Sequence, residues 1–172
     1  MQTIISHSEG VRSVSFSPND KVLASGGNGN TIKIWDVSSG ENIFTLRGHE
    51  NSVVCVEFHP SGNLLASGGD DGVCIIWNVH TGERVHTLVG PNLWVRSISF
   101  SYDGKILASA GADSIVRLWD VQTGVCLNVL KNDRPYEGMD ITGVKGLSSG
   151  TIATLKALGA VENDEVRGEN VE

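Results

Sequence analysis

Histidine, serine and aspartate are the residue types of a nucleophilic hydrolase. The hydroxyl attacks, the imidazole takes its proton and the carboxylate orients the imidazole. The chain holds this set as His49, Ser67 and Asp71, with Trp77 close behind. The set is not unique. His7, Ser25 and Trp35 stand 42 residues earlier, and Ser109, Asp113 and Trp119 stand 42 residues later. A residue set repeated in phase serves a repeating structure, whereas a triad is built once with its own oxyanion hole. No G-x-S-x-G elbow surrounds the recurring serines. The residues therefore point to a buried hydrogen-bond network and to no catalytic residue. Gly26 to Asn30 is glycine-rich, but no Gly-Lys-Ser/Thr follows it, so it reads as a turn between strands and not a phosphate loop. Cys55, Cys74 and Cys126 lack metal-ligand spacing and read as reduced packing thiols of a cytoplasmic protein. His59, His80 and His86 are separated singles with solvated or packing roles. No cofactor or metal is expected.

The elements that position the recurring set follow from the same period. Val11, Val53 and Val95 align, as do Phe16, Phe58 and Phe100 and the Leu-Ala-Ser runs at 23, 65 and 107. Each Trp is followed by Asp36, Asn78 or Asp120, and Gly40, Gly82 or Gly124 closes the segment. Short apolar runs separated by turn residues predict four strands per copy, in the middle one at 53–58, 64–68, 73–78 and 83–88. Four antiparallel strands per copy describe a propeller blade. It is apolar on both faces and must be covered by its neighbours. With 21 Gly and only 4 Pro among 172 residues, composition agrees with an all-β chain rich in tight turns.

The phased recurrence of Gly48-His49, Ser67, Asp71 and Trp77-Asn78 resembles the WD repeat, over about residues 1 to 130. That resemblance implies an all-β array of blades, at about 7–48, 49–90 and 91–131, with 1–6 as a stray outer strand. It also implies that His, Ser, Asp and Trp form one polar network in each blade. Only the middle blade is complete. Gly29 stands where the first blade's Asp should be, and Pro91 replaces the third blade's His. Those two networks are expected to be partial or water-filled.

A propeller offers loop rims to its partners. The resemblance implies that the loop entering each first strand and the Asp-containing turn share one rim, which gives Glu9, Asn28, Glu50, Asn51 and Asp70, with Arg12 and Arg96 nearby. Trp94, beside Leu93, departs from Gly10 and Ser52 at its aligned position. Either it is a binding hot spot, or it folds back into the space left by the missing His. The net charge of −7, with no basic run, argues against nucleic acid. No apolar stretch reaches membrane-spanning length. The leading expectation is a non-catalytic protein-interaction scaffold or sensor.

Three blades are fewer than a closed WD propeller has. The array is expected to be part of a longer one, or to pair with a second copy into a six-bladed ring. After residue 131 the repeat stops. Residues 149–158 predict a short helix, with Ile152, Leu155 and Leu158 on the face that packs on the propeller, and 161–172 predict an acidic disordered end. This tail resembles the ending of bacterial, particularly cyanobacterial, WD-repeat proteins. In these the propeller often follows an NB-ARC-type module, so the alternative role is the sensor segment of an NB-ARC-type ATPase or kinase signalling protein.

Overall fold

A computed structural model describes residues 7, 9–90, 94–131, 139–142, 148–157 and 160–161. Twelve six-residue strands form three four-stranded antiparallel sheets, each in chain order. The first blade holds β1 (Val11–Phe16), β2 (Val22–Gly27), β3 (Thr31–Asp36) and β4 (Asn42–Arg47). The second holds β5 (Val53–Phe58), β6 (Leu64–Gly69), β7 (Val73–Asn78) and β8 (Arg84–Val89). The third holds β9 (Val95–Phe100), β10 (Ile106–Gly111), β11 (Ile115–Asp120) and β12 (Cys126–Lys131). The blades are those the period predicts. The stray strand at 1–6, Leu93, Pro91 and the acidic end lie outside the described residues.

Turn chemistry sets the strand boundaries. The Oδ1 atom of Asp36, Asn78 or Asp120 accepts backbone N–H groups two or three residues on, for example from His80 and Thr81 at 2.9 and 3.1 Å. Gly40, Gly82 and Gly124 follow with φ of 73°, 72° and 72°, a conformation that costs a side chain energy but costs glycine none. The Trp-Asp dipeptide thus ends one strand and shapes the turn into the next.

First strands lie side by side, β1 against β5 and β5 against β9, and each second strand also meets the next blade. Between blades the core is apolar. Ala24, Ile32, Ile34 and Leu46 of the first blade pack on Val53, Val56, Phe58, Leu65, Ile75 and Trp77 of the second. The same positions one repeat on, Ala66, Cys74, Ile76 and Leu88, pack on Val95, Ile98, Leu107 and Trp119. Serine hydroxyls tie the strands across this seam. Ser13 and Ser15 Oγ each accept, at 3.1 Å, the N–H groups of Val56 and Phe58. Glu57 does the same for Phe100 N–H at 3.2 Å. Burial raises the Glu57 pKa despite these bonds.

The array is not closed. Phe58 is 6% exposed beneath the first blade, while Phe16, its equivalent in that blade, is 55% exposed. Residues 132–172 form a separate unit. Its helix α1 (Ser149–Ala157) starts where Ser148 Oγ accepts the Thr151 N–H at 3.1 Å, the geometry of an N-cap. Ala160 N–H closes it on the Leu155 carbonyl at 3.0 Å. Ile152 and Leu155 share its half-buried side, and Leu158 lies outside the described residues.

Candidate functional site

The polar networks form one per blade and differ in makeup. In the second blade His49 Nδ1 donates to Asp71 at 2.8 Å. His49 Nε2 meets Ser67 Oγ at 2.8 Å, and Trp77 Nε1–H donates to the same oxygen at 2.8 Å. Burial works against the Asp71 charge. The His49 bond and the Glu50 and Val73 N–H groups outweigh it and hold the carboxyl below its ordinary range. His49, Ser67 and Trp77 are sealed from solvent, so the serine has no path to a substrate.

The first blade holds three of the four members. His7 Nε2 meets Ser25 Oγ at 3.1 Å, and Trp35 Nε1–H donates to that oxygen at 2.9 Å. Nothing stands within 4 Å of where a Cβ on Gly29 would be. Burial lowers the pKa of His7.

In the third blade the network is split into two separate pairs, and Trp94, 50% exposed, does not fill it. Arg117 turns inward, is 8% exposed, and donates from Nη2 to Asp113 at 2.7 Å, while Trp119 Nε1–H donates to Ser109 at 2.8 Å. The Arg117 hydrogen bond holds the Asp113 carboxyl below its ordinary range. An arginine from the third strand thus gives Asp113 the side-chain donor that Asp71 receives from His49, and leaves Ser109 bonded to Trp119. The signal was in the sequence, because Arg117 aligns with Ile75, a core position, and a charge there needs a buried partner.

Above the networks, three blades meet on one rim. A β-bulge in each first strand leaves Arg12, Val54 and Arg96 outside the ladder, the device that re-aims a side chain at a sheet end. Arg12 reaches Asn28 of its own blade and Asp70 of the second at 3.0 Å. Arg96 of the third approaches the other Asp70 oxygen at 3.9 Å. One carboxylate therefore stands between two guanidinium groups. The Arg96 guanidinium also lies 4.7 Å from the centre of the Trp94 ring, a cation–π pair, and Trp94 is 50% exposed. Asn28 ties the rim inward through the Glu9 carbonyl. Glu50 and Asn51 are exposed beside this cluster, and the Asn51 side chain bonds only the adjacent Ser52 N–H among the described residues.

Besides Arg117, two features were missed in the sequence. His59 and His86 are stitches between blades, His59 Nε2 donating to the Gly104 carbonyl at 2.9 Å and His86 Nε2 to Gln122 at 3.0 Å. His59 also stands edge-on to Phe100 with centroids 5.0 Å apart. The tail contains one G-x-S-x-G spacing, Gly146 to Gly150. Its serine, Ser148, is the α1 N-cap, bonded to Thr151. Among the described residues no cluster of His, Cys, Asp or Glu forms a metal site.

The model for the WD domain, G-beta repeat, matches residues 1–36, 40–78 and 82–120. An uncharacterized WD repeat-containing protein of Nostoc sp., alr3466, is 60% identical over 37 residues, 22% of this chain and 2% of the relative. A second from the same organism, alr2800, is 60% identical over 35 residues, 20% of this chain and 3% of the relative. The Notchless protein homolog of Arabidopsis thaliana is 46% identical over 46 residues, 27% of this chain and 10% of the relative. The chain thus spans a tenth or less of the length of these relatives.

Proposed function

The chain belongs to the WD40 repeat family, and from that premise we propose that it is a protein-interaction scaffold whose partner docks on the Trp94 rim. WD40 repeat domains are typically scaffolds and usually non-catalytic. The observation that carries the finer reading is Trp94, half exposed and held flat under Arg96 beside the Arg12–Asp70 pair. A rigid aromatic next to exposed guanidinium nitrogens is the makeup of an interface anchor. Its chemistry suits a partner that presents an apolar side chain beside a carboxylate. Desolvation on docking strengthens both the charge pair and the apolar contact. The proposal extends to a cytoplasmic location, which the three free thiols support because they suit a reducing compartment.

A photo-crosslinking residue placed at position 94, and separately at position 61 on the opposite rim, tests this in cells. The reading expects a discrete protein adduct from position 94 and none from 61. With the captured partner purified, Trp94→Ala should weaken binding about tenfold or more while the melting temperature stays put. Adducts from 61 alone, or unchanged affinity, overturn the rim assignment.

A further inference from the structure

The two blade faces left open in the array are the two halves of an interface the chain already makes twice. On its leading side the first blade exposes Val11, Val14 and Phe16. Their equivalents Val53, Val56 and Phe58 are buried under the first blade, and Val95 and Ile98 under the second. On its trailing side the third blade carries Ala108, Val116, Leu118 and Leu130, in phase with Ala24, Ile32, Ile34 and Leu46. Leu46 is 3% exposed and Leu130 is 48%. The polar stitches repeat as well. Ser97 and Ser99 occupy the positions from which Ser13 and Ser15 accept the Val56 and Phe58 N–H groups, and the N–H groups of Val14 and Phe16 occupy the matching donor positions on β1.

We propose that two copies of this chain associate head to tail, the first blade of each on the third blade of the other, closing a six-bladed ring. The proposal concerns the blade faces and stands apart from the rim. Such an interface is heterologous, and two identical contacts close it about a two-fold axis. Closure covers both apolar faces, which otherwise favour unspecific association. One residue tunes the fit. A Cβ on Gly26 would come within 2.6 Å of Val53 Cγ1, and one on Gly68 within 2.5 Å of Val95 Cγ1, yet Ala110 stands at that position in the third blade. The incoming Val11 therefore meets a methyl, and the contact stands off slightly compared with the two internal ones.

Light scattering on the full chain at tens of micromolar is expected to give twice the single-chain mass. Phe16→Glu on the leading face or Leu130→Glu on the trailing face should give folded monomers, with circular dichroism and tryptophan emission unchanged. An equimolar mixture of the two variants should regain a two-chain species, because one intact leading face and one intact trailing face remain. Ala110→Gly should tighten the wild-type association roughly tenfold. A wild-type chain that stays monomeric overturns the proposal without reference to any variant. So do dimers that survive either charge, mixtures that stay monomeric, assemblies beyond two chains, or an Ala110→Gly variant no tighter than wild type.

Discussion

Ser67 serves two buried rings at once, meeting the His49 imidazole and the Trp77 indole. Ser67→Ala leaves both without a partner, and urea unfolding should register a loss of about 2–3 kcal/mol. Arg117 and Asp113 are a nearly buried pair, so Arg117→Met strands a carboxylate and should cost about 3 kcal/mol by the same measurement. In the first blade the missing carboxylate is replaceable. Gly29→Asp has open space around its Cβ and supplies an acceptor for His7. It should raise stability by about 1 kcal/mol and raise the His7 pKa, read by NMR titration of the imidazole. Acid acts on the same groups in order. His7 titrates lower in the folded chain, so the unfolded chain takes up its proton first and stability begins to fall below about pH 6.5. Asp71 and Asp113 are likewise depressed, and their contribution, full above about pH 4, is lost as pH falls through their lower folded values.

At the scale of elements, the blades depend on how closely adjacent strands approach. Gly68 admits the Val95 side chain, so Gly68→Ala should destabilise by about 1–3 kcal/mol in chemical denaturation. Turns show the reverse opportunity. Ser114 adopts φ of 61° where the second blade has Gly72 at 79°, so the third blade's β10–β11 turn carries a side chain in the left-handed region. Ser114→Gly removes that penalty, and the melting temperature should rise by an amount matching about 1 kcal/mol.

For the whole array, cohesion is a matter of seams between blades. Cys74 lies in the apolar core between the second and third blades, and Cys55 is half-buried against it. Burial pushes both thiols up to about 12. Cys126 sits on the outermost strand, exposed. Thiol labelling of the native chain should therefore modify Cys126 at once, and Cys55 and Cys74 only at the rate at which that seam opens. Labelling of all three together would mean that the second and third blades part freely.

The blades themselves were legible in sequence because their cause is local and repeated. A 42-residue period, alternating apolar residues and the Trp-Asp turn each specify a strand or a turn from neighbours along the chain. The complete network of His49, Ser67, Asp71 and Trp77 was legible for the same reason, since a phased repeat reports which positions share an environment. Tertiary structure alone decided where the irregular residues go. Alignment with Ile75 marks Arg117 as a charge at a core position, but only the folded blade shows that its partner is Asp113. Trp94 had two sequence readings, a binding hot spot or a ring folded back, and it stands half exposed against Arg96. His59 and His86 reach across a seam to backbone carbonyls, contacts between residues 45 and 36 positions apart that no local pattern encodes. Periodic sequence specifies each blade from within, while side chains that break the period are placed by the blade next door.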